Sequence, residues 1–335
     1  MRKVRLGRTE ISVNSNGFGA LPIQRISLQD AGKLLRKAYD NGFDYFDTAR
    51  YYTDSEEKMG EALANVRDRI VISTKTGAKN VGDFWKDLET SLRLLKTDYI
   101  DIYQFHNPGF VPMPGEENGL YDAMLKAKDQ GKIRHIGITN HGLERAVKAV
   151  ESGLYDTLQF PFSYLSTNEE LALSELCLRH NVGLIAMKAL SGGLITDSAT
   201  AAAFIAQYPN VEPIWGIQRE SELDEFISYN LHEPVMDDEK RQRIERDRKE
   251  LSGDFCRGCG YCLPCPAGID IPNCARMSLL LRRAPLSVHL NADWQAKMSK
   301  VKDCRHCGRC KSKCPYGLDT PELLRRNYED FLTFL

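Results

Sequence analysis

The densest chemistry in this 335-residue sequence lies near its end, where nine of ten cysteines fall between Cys256 and Cys314. They form two runs. CRHCGRCKSKCP spaces Cys304, Cys307, Cys310 and Cys314 as C-x2-C-x2-C-x3-C-P, while CRGCGYCLPCP places Cys256, Cys259, Cys262 and Cys265 at two-residue intervals before Pro266. Thiolates are soft ligands that favour zinc, copper(I) or iron–sulfur clusters over hard cations. Structural zinc commonly takes two Cys-x2-Cys pairs separated by a longer insert. Four cysteines within ten or eleven residues, twice over and each time followed by Pro, suit [4Fe-4S] cubes better, with zinc as the competing occupant. Gly258, Gly260 and Gly308 let the backbone turn around a bulky cluster and aim amides at its sulfurs. Cys177 and Cys274 sit in no motif and read as buried thiols packed like small apolar residues.

The second run resembles the bacterial two-cluster ferredoxin pattern, in which three cysteines of a run hold one cube and the fourth reaches the other. That resemblance implies one [4Fe-4S] cluster on Cys256, Cys259, Cys262 and Cys314, and a second on Cys304, Cys307, Cys310 and Cys265. The first run departs from the pattern by one residue in its last spacer, a difference that falls on Cys265.

A different constellation precedes the cysteines. FDYFDTARYYTDSE carries Asp47, Tyr52 and Ser55-Glu56; STK carries Lys75; YQFH carries His106; and GKIRHIGITN carries Thr139 and Asn140. Singly, each has an ordinary explanation, such as an ion pair between Asp47 and Lys75 or a packing role for Tyr52. In this order they resemble the aldo-keto reductase family along the whole first part of the chain. Reducing a carbonyl by hydride transfer builds negative charge on its oxygen, so a proton donor must stand within hydrogen-bond reach. The resemblance implies Tyr52 as that donor. A Lys75 ammonium nearby would favour its phenolate, Asp47 would hold Lys75 charged and oriented, and His106 would fix the substrate oxygen.

The same resemblance assigns Thr139, Asn140 and Gln159 to the nicotinamide carboxamide and places Gly192 and Gly193 near the pyrophosphate. Where the family usually carries a tyrosine stacked on the nicotinamide, this sequence reads AMKAL, so Met187 takes that place and Lys188 follows. Arg219 is assigned to an adenosine 2′-phosphate and Glu225 to the adenine side, which implies NADP(H), with NAD(H) as the alternative. The sequence has no G-x-G-x-x-G fingerprint, in keeping with a barrel rather than a Rossmann domain.

The elements that must position these groups follow from periodicity. Up to about residue 232, short apolar segments alternate with longer amphipathic ones. After an N-terminal hairpin around Gly7, strands are expected at 16–18, 43–46, 70–73, 99–105, 133–138, 157–160, 183–187 and 213–216. Helices are expected at 28–41, 55–65, 82–95, 120–130, 143–151, 169–179, 198–207 and 222–228. Eight βα units predict an α/β fold, a (β/α)8 TIM barrel over residues 1–235 whose site lies at the C-terminal strand ends. The stretch DDEKRQRIERDRKE, with Ile244 its one apolar residue, predicts a solvated connecting helix within 236–252. Residues 253–335 then form a small, mainly helical, ferredoxin-like domain, with helices at 273–283, 292–301 and 321–331.

A formal net charge of −1 argues against a nucleic-acid partner. No apolar run approaches the roughly 20 residues needed to cross a bilayer, and the polar start lacks a signal peptide's apolar stretch, so a cytoplasmic protein with no membrane partner is expected. The predicted substrate is a small carbonyl compound. Its pocket would be shaped by the 107–118 loop with Phe110 and Met113, and by residues near Tyr51 and Trp215. Hydride moves two electrons while a cube exchanges one, so three readings stand. In the first, an NAD(P)H-dependent carbonyl reductase carries accessory clusters. In the second, a ferredoxin or other one-electron carrier feeds the clusters and a barrel-bound flavin splits electron pairs. In the third, the chain is a non-catalytic, cluster-bearing redox sensor.

Overall fold

The computed structural model describes residues 2–251, 255–283 and 286–335. Two short strands, β1 (Lys3–Arg5) and β2 (Ser12–Asn14), form an antiparallel hairpin. Eight parallel strands follow: β3 (Gly17–Gly19), β4 (Tyr45–Asp47), β5 (Val71–Thr76), β6 (Ile100–His106), β7 (Ile133–Thr139), β8 (Thr157–Pro161), β9 (Gly183–Met187) and β10 (Val211–Gly216). They pair in chain order, and β10 closes onto β3 to complete the barrel. Val4, Leu6 and Val13 of the hairpin region pack against Tyr45, Ile102, Ile185 and Ile214. This cluster plugs the lower end of the barrel, where Gly7 bridges Val182 just ahead of β9.

The intervening helices are α1 (Leu28–Asp40), α2 (Ser55–Leu63), α3 (Val81–Leu95), α4 (Leu120–Asp129), α5 (Leu143–Glu151), α6 (Asn168–Leu171), α7 (Leu173–Arg179), α8 (Ser198–Ile205) and α9 (Glu220–Leu231). Their starts follow from side-chain caps. Ser27 accepts from the Asp30 amide, Asn80 from that of Asp83, and Thr167 with Glu170 forms a capping box. α1 shows the usual inward stripe, burying Ala31, Leu34, Leu35 and Ala38. The helix expected at 169–179 is instead two short ones, α6 capped by Thr167 and α7 beginning after Ala172.

The chain divides into two compact units, Met1–Ala189 with Ala199–Met236, and Leu190–Ser198 with Asp237–Leu335. The second unit contains α10 (Asp238–Glu250), α11 (Ile271–Cys274), α12 (Met277–Arg283), α13 (Leu286–His289), α14 (Ala292–Ser299), α15 (Arg309–Ser312) and α16 (Thr320–Leu332). α10 keeps most of its charged residues at the surface and buries Ile244 and one acidic residue, Asp247. The unit's core gathers Ile269, Met277, Leu281, Met298, Leu324 and Phe331, with the thiols of Cys262, Cys274 and Cys310 among them.

Candidate functional site

Side chains of a barrel strand alternate between interior and exterior, so polar residues two apart on neighbouring strands meet inside. Here that parity collects Tyr45 and Asp47 of β4, Ser73 and Lys75 of β5, Gln104 and His106 of β6, and Gln159 of β8. The Lys75 ammonium donates to both Asp47 carboxylate oxygens, at 2.8 and 2.6 Å, and to the Thr48 carbonyl at 2.6 Å. Both side chains are almost wholly buried. Burial pulls the Lys75 pKa below its usual value, and the Asp47 charge and hydrogen bond push it back up. Ser73 also donates to Asp47 at 2.6 Å, and Tyr45 donates to Ser73. The carboxylate is thereby fixed from two sides.

Above this pair stands Tyr52, on the loop between β4 and α2. The Lys75 nitrogen lies 5.5 Å from the centroid of the Tyr52 ring. The His106 ring meets the same tyrosine edge-on, with centroids 5.7 Å apart. Burial first, and the Lys75 charge second, push the His106 pKa down to about 3. The structure therefore brings Asp47, Tyr52, Lys75 and His106 together.

Of the residues assigned to a nicotinamide cofactor, three cluster beside this group. Thr139 ends β7, its hydroxyl accepting from the Asn107 amide. Asn140 follows it, fully buried, and neither its side-chain oxygen nor its nitrogen has a hydrogen-bond partner among the described residues. A buried amide left without partners costs stability unless a ligand completes it. A carboxamide offers the matching donor and acceptor, so these residues fit the group. Gln159 accepts from Gln104 at 2.9 Å. Met187 ends β9, and Lys188 follows in left-handed backbone.

The remaining assigned residues have local settings of their own. Gly192 and Gly193, also left-handed, form a short 3₁₀ turn of the second unit, where the Gly192 carbonyl accepts from Arg276 at 2.8 Å. Arg219 precedes α9, exposed and paired with Glu222 at 2.6 Å. Glu225 lies one turn on, accepting from the Tyr229 hydroxyl. Trp215 is almost fully buried. It points outward from β10, donates to Asn16 and stacks on Phe226 of α9, because its neighbour Ile214 takes the inward parity.

The thiols of the second unit group across the two runs. Burial raises the Cys256 pKa, with like-charge contributions from Cys259 and Cys314, while the Gly258 amide and Arg276 pull it back down. Cys262 is pushed up to about 12 by burial and by Cys256 and Cys259. Cys310 is raised by burial, then by Cys304 and Cys307. Cys314 thus stands with the first run. A small cavity is lined by Cys265, Cys304, Cys307 and Cys310, with Cys262 beside them. Among the described residues no three His, Cys, Asp or Glu side chains converge closely enough for a single ion. Four thiols around one cavity form a donor set of the kind a cube takes. Cys177 and Cys274 are fully buried, their thiols pushed up to about 12 by desolvation.

Comparison with known proteins bears on both regions. Residues 15–203, more than half of the chain, match the aldo/keto reductase family. The chain belongs to that family. Residues 255–319 match a 4Fe-4S dicluster domain, so this aldo/keto reductase carries an iron–sulfur region after its barrel. It is 31% identical over 212 residues to L-galactose dehydrogenase of Arabidopsis thaliana, an alignment covering 57% of this chain and 66% of that one, just under two thirds of its length. It is 27% identical over 253 residues to the NADH-specific methylglyoxal reductase of Escherichia coli, covering 67% and 77%. Among solved structures, an aldo-keto reductase from Klebsiella pneumoniae in complex with NADPH is 25% identical, with a TM-score of 0.63 over 73% of this chain and 94% of that one.

Within this aldo/keto reductase, Ser73 and Gln104 are site residues that motif reading passes over. Ser73 lies two residues before Lys75, and Gln104 two before His106, so strand parity was the available signal.

Proposed function

We propose that this aldo/keto reductase reduces a small aldehyde or ketone, with Tyr52 as general acid. The observation that carries the reading is the buried Lys75 ammonium, clamped by Asp47 and facing the Tyr52 ring. A positive charge there favours the phenolate, so Tyr52 yields its proton more easily as the carbonyl oxygen gains charge. Asp47 keeps Lys75 protonated despite its burial, and Ser73 holds Asp47 in place. His106, neutral at working pH, offers one N–H to the substrate oxygen and orients it. Exposed Tyr51, Phe110 and Met113 on the loops after β4 and β6 supply an apolar mouth, which suits an uncharged carbonyl compound.

A nicotinamide nucleotide would supply the hydride when bound. Thr139, Asn140 and Gln159 would hold its carboxamide, and Arg219 would leave Glu222 to meet a 2′-phosphate, which favours NADP(H). Cys256, Cys259, Cys262 and Cys314 would hold one [4Fe-4S] cluster, and Cys265, Cys304, Cys307 and Cys310 the other. Such clusters exchange single electrons with a carrier.

The direct test is Tyr52→Phe, assayed anaerobically with NADPH and a panel of small aldehydes. Loss of the proton donor is expected to cost about 10²–10⁴-fold in kcat, with nucleotide affinity unchanged. Undiminished turnover would remove Tyr52 from the chemistry.

A further inference from the structure

The two cysteine runs stand in unequal electrostatic surroundings. From 255 to 268, around the first run, Arg257 is the one charged residue. From 300 to 313, around the second, six Lys and Arg face a single Asp303, a local excess of +5 in a chain whose total is −1. Lys300, Arg305, Arg309 and Lys313 are all exposed and make no ion pair among the described residues. Lys311 is partnered by Asp319. Cys307, amid these cations, is the one exposed thiol of the ten. Arg305, His306 and Arg309 also line the cavity that Cys304, Cys307 and Cys310 share. The basic rim therefore surrounds the most exposed of the ten thiols.

We propose that this face docks an acidic one-electron carrier protein, and that single electrons enter the chain beside Cys307. The inference rests on the cluster reading above and names the partner of the second cluster. One electron leaves the reduced carrier and one enters the cluster, with no bond made and no proton moved. Nucleic acids and anionic lipids would also meet the charge, but neither has an electron to exchange at an exposed redox centre. Electron-transfer complexes are small and short-lived, and complementary charge supplies their encounter rate more than their affinity.

The test uses the full chain with its clusters loaded, mixed anaerobically with a reduced, strongly acidic plant-type [2Fe-2S] ferredoxin while bleaching of the cluster band is followed. Raising NaCl from about 20 to about 300 mM should slow cluster reduction about tenfold or more. In an Arg305→Glu/Arg309→Glu/Lys313→Glu variant the low-salt rate should fall by a similar factor and lose its salt dependence. Reduction by an uncharged deazaflavin photoreductant should match in both proteins. If the triple reversal impairs cluster loading, Arg305→Gln/Lys313→Gln, which removes two charges where the reversal changes six, should show about a third of the loss on a logarithmic scale. A salt-independent rate in the unaltered protein, or a fully loaded variant as fast as it, would overturn the proposal. Absence of iron from anaerobic preparations would instead sink the underlying cluster reading.

Discussion

Burial and the Lys75 ammonium keep the His106 imidazole neutral, and this has a price in acid. An unfolded chain binds a proton at His106 near pH 6.5, whereas the folded chain resists until about pH 3. The unfolded state therefore holds more protons across that window, and stability falls as pH drops through it, by at most about 1.4 kcal/mol per unit. Urea midpoints measured at pH 7 and pH 5 should differ less in His106→Gln than in the unaltered protein; equal differences would contradict the assignment. Asn140 is a second residue-level case. Its unpartnered amide predicts that Asn140→Ala weakens nicotinamide nucleotide binding about tenfold by fluorescence titration, with little loss of Tm. Asp47, Tyr52, Lys75 and His106 were legible because reactive residue types in a fixed order are rare. Ser73 and Gln104 were not, because Ser and Gln serve many structural ends and declare a role only once strands are paired.

Among the elements, β7 shows how closely the barrel interior is filled. A Cβ at Gly137 would lie 2.4 Å from the Thr157 hydroxyl and 2.8 Å from Gln104 Cγ. Gly137→Ala should thus displace Gln104, destabilise the barrel by about 1–3 kcal/mol and lower kcat in the same assay. A variant with unaltered Tm and rate would show the interior to be more yielding than its geometry implies. All eight barrel strands were visible as short apolar runs separated by amphipathic stretches, since each is buried on both faces. Which face a residue occupies was harder to read. Trp215, near which pocket residues were expected, itself stacks on Phe226 of α9, because one position along a strand reverses a side chain's direction. The helix expected at 273–283 breaks between α11 and α12, where Arg276 reaches across to the Gly192 carbonyl, a tertiary partner that no local pattern announces.

For the whole molecule, the two units differ in what can hold them together. The barrel buries a continuous apolar core, whereas the second unit packs a small one that includes thiols. Bound metal contributes directly to the folding free energy of small domains of this kind. Chelation or air oxidation should therefore lower helicity and introduce an early thermal transition, while the barrel's own transition persists. A single transition, unmoved by iron removal, would mean that the helical unit stands on its apolar packing alone.

Under the proposed ligand sets, chain order and ligand order are out of step. Cys314 stands beside Cys256, although of the eight proposed ligands it is the last to leave the ribosome. The first cube would then remain a three-thiol half-site until synthesis has passed the second run. Maturation waits until Cys314 has been made, and a truncation just before it would disarm the earlier cube and spare the ligands of the later one.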